Sequence, residues 1–121
     1  LQMISREKIP IKIIVFNNYT LGMIRHFQEM YFECNYMQTT NSGGYTVPNL
    51  EKIAKAYEIN YYEINSKNDI NENIMIDDEA YIIEVKLQED TYIFPKLEYG
   101  KFNCDQAPLI DRQLFNYLVN L

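Results

Sequence analysis

Ile13-Ile14-Val15-Phe16-Asn17-Asn18-Tyr19-Thr20-Leu21-Gly22-Met23-Ile24-Arg25 is the stretch on which the reading of this chain turns. With Ile11 and Lys12 ahead of it, its first part is a β-branched run with one polar interruption, bounded by Pro10 and by Asn17-Asn18. Continuous apolar character of that length predicts a strand covered on both faces, as in a parallel sheet. Beyond the asparagines, Met23, Ile24, Phe27, Met30 and Tyr31 recur at three- and four-residue intervals, while Arg25, His26, Gln28, Glu29 and Glu33 fill the other side. That spacing predicts an amphipathic helix, with Met23 and Met30 as packing residues and His26 exposed on the polar face. The order is strand, short polar turn, helix.

Outward from this unit, residues 35–47 turn to Asn, Gln, Thr, Ser and the pair Gly43-Gly44, a long loop of the kind that serves as a lid or binding segment. A second helix is expected to start at Pro48-Asn49, where Pro fits the first turn and Asn can cap, and to run through Leu50, Ile53, Ala54 and Tyr57. Residues 61–64 read as a strand, Ile70, Ile74 and Met75 mark a weak helix, and residues 80–87 read as a strand near the side of the sheet. Strands alternating with helices call for parallel pairing through right-handed crossovers, so the expected class is α/β with three layers. After Asp90 come Thr91-Tyr92-Ile93-Phe94-Pro95-Lys96, a loop with Gly100 and Pro108, and a short helix sharing Leu114, Phe115, Leu118 and Val119 on one face. Residues 91–121 are expected to form a C-terminal tail packed on the sheet.

A chain of 121 residues and 14.4 kDa has room for one domain or a piece of one. Its 47% hydrophobic and 23% charged residues are the mixture of an ordinary core-forming protein. Eleven basic against seventeen acidic side chains give a net charge of −6, a field that repels phosphate backbones and anionic lipid, so no nucleic-acid partner is expected. Cys34 and Cys104 lie far apart and His26 is the single histidine, which leaves no zinc set; two buried free thiols in a reducing, cytoplasmic setting are the expectation. No apolar stretch approaches the roughly 20 residues a bilayer needs, and the opening residues 1–8 lack a secretory pattern. The clusters Asp77-Asp78-Glu79 and Glu89-Asp90 read as solvated turns.

In an open parallel sheet, ligands collect beyond the carboxyl ends of the strands, where the following helix presents unpaired N–H groups. Residues 17–23 occupy that place. A diphosphate there would meet the helix start and the backbone at Gly22, and a magnesium ion could take the Asn18 amide oxygen and a nearby carbonyl. The competing reading is that Asn17-Asn18 merely ends a strand and caps a helix.

The whole string from Ile13 to Arg25 resembles the second half of the thiamine-diphosphate motif, a hydrophobic strand ending in Asn-Asn before a Gly-Met-hydrophobic helix start, and is most similar to the acetolactate synthase group. Phe27-Gln28-Glu29-Met30-Tyr31-Phe32 is similar to that group's aromatic helix continuation. Asn49-Leu50-Glu51-Lys52-Ile53-Ala54-Lys55-Ala56-Tyr57 is similar to its Asp-Phe-x-x-Leu-Ala-x-Ala-hydrophobic helix. Residues 80–86 resemble its last sheet strand, and Ile93-Phe94-Pro95-Lys96 its exit segment.

The resemblance implies that residues 1–121 are the C-terminal part of a diphosphate-binding domain, with residues 1–8 as a helix inside the motif's spacer. It places magnesium on the Asn18 side chain and the Thr20 carbonyl, runs Leu21, Gly22 and Met23 along the diphosphate, and makes residues 35–47 the segment that closes over thiamine diphosphate. It implies a 2-keto acid substrate, decarboxylation and carboligation, and, as partners, the rest of a parent polypeptide and a second subunit. Phe27 stands where that group usually has Trp, which leaves the substrate open, and Glu58 stands where Gly is common. The motif's upstream Gly-Asp-Gly, with its anionic magnesium ligand, and the glutamate that activates the cofactor have no counterpart here, so no catalytic residue is assigned and the chain alone should be inactive. The alternative is a non-catalytic α/β assembly module that keeps the fold without the cofactor.

Overall fold

The computed structural model describes residues 1–95 and 98–121. Its elements are α1 (Gln2–Glu7), β1 (Lys12–Asn17), α2 (Gly22–Tyr31), α3 (Leu50–Ala56), β2 (Asn60–Ile64), α4 (Glu72–Ile76), β3 (Tyr81–Lys86) and α5 (Arg112–Val119), with a 3₁₀ turn at Lys67–Asp69. The chain divides into two units, residues 1–91 and 92–121. In the exit segment, Lys96 lies outside the described residues.

Within the first unit the three strands are all parallel and ordered β1-β3-β2, as the strand-helix alternation predicts. Register pairs Ile13 with Ile82 and Val15 with Glu84 on one side, and Tyr61 with Ile82 and Glu63 with Glu84 on the other. Side chains alternate along a strand, so Ile13, Val15 and Asn17, Tyr61 and Glu63, and Ile82, Glu84 and Lys86 share one face. Ala54 of α3, Ile59 and Ile82 form the buried centre of that face, with Ile4 of α1, Ile13, Val15, Leu50, Tyr57 and Tyr61 packed around them. The opposite face carries Tyr62, whose hydroxyl donates to the Asp69 carbonyl at 2.6 Å and ties the 3₁₀ turn to the sheet. The class is α/β.

Caps explain where the helices begin. Asn49 Oδ1 accepts from the Lys52 N–H at 2.7 Å at the start of α3, as its sequence predicts, and Asn71 serves α4 in the same way. The chain leaves α3 through Glu58 at φ 54°, the left-handed cap that Gly would take without strain, and the Ile59 N–H donates back to the Ala54 carbonyl at 3.0 Å.

Several expectations change. β3 is the central strand, not one near the side, because β3 inserts between β1 and β2; this buries Ile82, Ile83 and Glu84. β1 is an edge strand whose second face is open, with Phe16 70% exposed. α2 forms over the predicted residues with its stripes reversed. Met23 is 78% exposed and Ile24, Met30 and Tyr31 are also exposed, whereas the Arg25 side chain keeps 14% of its surface. Arg25 lies 3.4 Å from Glu29 and 3.8 Å from Glu89 and stacks on the Tyr36 ring, and these partners draw the polar stripe inward. His26, expected in solvent, is accordingly half-buried with Nε2 out of water. Cys34 and Cys104, expected buried, are exposed because both fall in loops outside the sheet.

In the second unit Asp111 caps α5, its Oδ1 accepting from Gln113 and Leu114 at 3.0 Å, and Arg112 pairs with Asp105. The Gln106 side chain bonds to backbone at Glu98, Lys101 and Phe102.

Candidate functional site

The turn from Asn17 to Gly22 sits at the carboxyl end of β1. Asn17 is 8% exposed, and its Oδ1 accepts the Tyr19 N–H at 2.9 Å. Tyr19 takes φ 60°, the left-handed region, which reverses the chain directly after the strand. Asn18 is half-buried and directs Oδ1 toward the Thr20 N–H at 3.4 Å; it does not enter the core. Thr20 is buried, with its hydroxyl 3.4 Å from the Glu89 carbonyl. A Cβ at Gly22 would lie 2.6 Å from Asn18 Nδ2, so the missing side chain is what lets the Asn18 amide lie against the helix start. The turn thus brings Asn18, Thr20, Leu21, Gly22 and Met23 together at the first turn of α2.

That helix start carries no side-chain cap and no acidic residue in its first turn. Uncapped N–H groups with the positive end of the helix dipole form a setting for an anion. Leu21 contributes differently from Gly22 and Met23, because its N–H donates to the Thr39 carbonyl at 3.0 Å. This bond draws residues 35–47 over the turn, and Thr39 Oγ1 adds a 2.6 Å bond to Gln28 of α2. The loop is folded on itself as well: Gln38 N–H donates to the Gly43 carbonyl at 2.8 Å, and a side chain at Gly43 would strike the Tyr36 carbonyl. Tyr36 anchors its near end by donating to Glu29 at 2.8 Å, and that bond is the main reason its hydroxyl is pushed up to about 12.

Residues that pattern reading passed over lie beneath the turn. Glu84 is 6% exposed; its Oε1 accepts from Asn17 Nδ2 and its Oε2 from the Tyr61 hydroxyl, each at 2.5 Å. Burial, then the bond to Glu84, raises the Tyr61 hydroxyl above the ordinary tyrosine range. Lys86 continues the row with a 2.5 Å bridge to Glu63, which lowers the Glu63 carboxyl and raises the Lys86 ammonium. The available signal was a lone carboxylate inside the apolar run Tyr81-Ile82-Ile83-Glu84-Val85, a strand expected near the side of the sheet. On a central strand it demands partners.

The donor set of the turn fits a diphosphate: backbone N–H groups, a helix dipole and a gap that a Cβ would fill. For a hard cation it offers only neutral oxygens from Asn18 and Thr20. Among the described residues no group of three or more His, Cys, Asp or Glu side chains could hold a metal, so a magnesium ion would draw its charge balance from the diphosphate and a carboxylate elsewhere. No helix among the described residues is long and apolar enough to cross a membrane.

Comparison with known proteins places the chain in a family. The chain is 28% identical over 102 residues to the acetolactate synthase large subunit of Lactococcus lactis subsp. lactis, covering 83% of this chain and 17% of that protein. It is 26% identical over 105 residues to the acetolactate synthase isozyme 2 large subunit of Escherichia coli, covering 84% and 19%. With a probable acetolactate synthase large subunit of Methanococcus aeolicus the identity is 33% over 87 residues, covering 67% and 14%. The chain therefore spans less than a fifth of the length of these relatives. Residues 1–85, which hold the entire sheet except Lys86 together with the turn, match the family described as thiamine pyrophosphate enzyme, C-terminal TPP binding domain, and the chain belongs to that family.

Proposed function

We propose that this chain anchors the diphosphate of thiamine diphosphate, with its magnesium ion, in an acetolactate synthase-like enzyme acting on 2-keto acids in a cytoplasmic setting. The observation that carries this reading is the uncapped start of α2 lying behind the Asn18 amide, with Gly22 leaving room for it. Asn18 Oδ1 and the Thr20 carbonyl would be the metal's protein ligands, and the N–H groups at Gly22 and Met23 would hold the diphosphate. When bound, thiamine diphosphate supplies the carbanion chemistry for decarboxylation and carboligation, and these residues hold and orient it. Nothing among them exchanges a proton with a substrate, so the chain alone is inactive.

Its partners, on this reading, are the remainder of a longer polypeptide and a second subunit. The open face of β1 and the outward stripe of α2, with Phe16, Met23 and Ile24, support that expectation, since exposed apolar patches mark contact surfaces. The same exposure also suits the alternative, an α/β assembly module without the cofactor. Calorimetry with thiamine diphosphate and magnesium separates the two. The anchoring reading expects no detectable binding to this chain, and magnesium-dependent binding to a version extended upstream through a Gly-Asp-Gly segment, weakened by Asn18→Ala. An extended protein that ignores the cofactor would leave the assembly module standing.

A further inference from the structure

A buried carboxylate on a central strand needs a reason, and the geometry around Glu84 supplies one. Both of its oxygens are engaged: Oε1 with Asn17 Nδ2 on β1 and Oε2 with the Tyr61 hydroxyl on β2, while register sets it between Val15 and Glu63. The bond to Asn17 has a directional consequence. An amide is planar, so fixing its NH₂ toward Glu84 fixes its oxygen toward the Tyr19 N–H, 2.9 Å away. The flipped amide would point its oxygen at a carboxylate and its NH₂ at an N–H donor, both repulsive. Tyr19 is the residue at φ 60°, and the chain direction it imposes sets where Asn18 and Thr20 face.

We propose that Glu84 is a positioning residue for the turn: through the Asn17 amide it holds Tyr19 in the left-handed conformation and so orients the Asn18 carboxamide and the Thr20 carbonyl. The importance of that orientation for the cofactor rests on the function proposed above; the coupling itself does not. Tyr61 fixes the second oxygen and keeps the carboxylate from rotating away.

The test is amide hydrogen exchange on this chain by NMR, which needs no cofactor and so separates failure of the coupling from failure of the anchoring function. Glu84→Leu removes both acceptors and should speed exchange of the Tyr19 N–H by about tenfold, the scale of one lost hydrogen bond, while β3 amides change by less than about twofold. Glu84→Gln keeps an acceptor for Asn17 and should leave Tyr19 within about threefold of the parent. In an Asn17→Ala background, Glu84→Leu should add nothing at Tyr19, since coupled residues are non-additive. If Glu84→Leu does not fold, the reciprocal exchange decides. Asn17→Asp sets two carboxylates face to face and should release Tyr19, and adding Glu84→Gln, whose NH₂ can donate to Asp, should restore it. Loss of protection at Tyr19 and across β3 together, no change at Tyr19, or no recovery in the reciprocal pair overturns the proposal.

Discussion

At Gly22 a single hydrogen stands where any other residue would press a carbon to 2.6 Å from Asn18 Nδ2. The obstructing atom ends a side chain on a turn, so Gly22→Ala should displace the Asn18 amide without disrupting the core. Ala also favours a helix over Gly by up to about 1 kcal/mol. The expected outcome is a melting temperature equal to or above that of the parent, and at least tenfold weaker magnesium-dependent thiamine diphosphate binding in a cofactor-competent, extended form. Calorimetry and a thermal melt on the same preparation check both halves. Equal affinity would mean that the Asn18 amide does not touch the metal. This residue pair also shows what pattern reading reaches. Asn18 and Gly22 stand out as types with known uses in a turn, and their place after a β-branched run marks the candidate site. The hold of Glu84 on Asn17 was not legible, because strand order decides whether a mid-strand carboxylate is buried, and strand order is set by contacts distant in sequence.

Among the elements, α3 ends on a residue that its own backbone disfavours. Glu58 sits at φ 54°, and a residue with a Cβ in that region costs about 1–2 kcal/mol relative to its right-handed form. Glu58→Gly should recover part of this, offset by the greater freedom of Gly in the unfolded chain, for a net gain of about 0.5–1 kcal/mol. Chemical denaturation reads it as a higher midpoint with an unchanged slope; a lower midpoint would show that the Glu58 side chain has a stabilising role of its own. The loop after β2 offers a test with acid. Asp69 accepts from the Asn65 and Ser66 N–H groups, at 3.0 and 2.8 Å, and these bonds hold its carboxyl below the ordinary range. A carboxyl lowered in the folded state adds stability that is complete above its unfolded value, near pH 4, and that disappears as pH falls through the lower folded value. Asp69→Asn should therefore lower the melting temperature at neutral pH, with the gap to the parent closing below about pH 4. A gap that persists unchanged at low pH would detach the bonds from the charge. Of the elements themselves, periodicity located α2, α3, α4 and α5 to within a few residues, while α1 came only from the family resemblance. It failed for the direction α2 faces, since a 3.6-residue repeat shows that a helix has two sides without showing which side finds partners; here Glu29, Tyr36 and Glu89 outcompete a core that the chain does not extend that far.

For the molecule as a whole, the mismatch lies in its surface. Phe16 and Ile24 are exposed together with much of the α2 stripe, and neither supports the buried centre formed by Ala54, Ile59 and Ile82. Replacing them, as Phe16→Thr with Ile24→Gln, should change unfolding free energy by no more than about 0.5 kcal/mol, as expected of surface positions. Concentration-dependent self-association and binding of an apolar dye should fall clearly. Sedimentation over a range of concentrations would check this, and a marked loss of stability instead would show that the stripe packs within the chain. Fold class was legible at this scale because alternation of strand and helix, once parallel, leaves few arrangements. The uncovered surface was not, because composition counts apolar residues without locating them.

The order β1-β3-β2 carries a consequence for how the polypeptide is made. β1 and β2 share no ladder bonds with each other; both depend on Tyr81–Lys86. Until Tyr81–Lys86 has left the ribosome, the earlier-made β1 and β2 lack the ladder that both share here. Once made, that segment joins β1 to β2 and seats the carboxylate beneath the reversed corner in the same event.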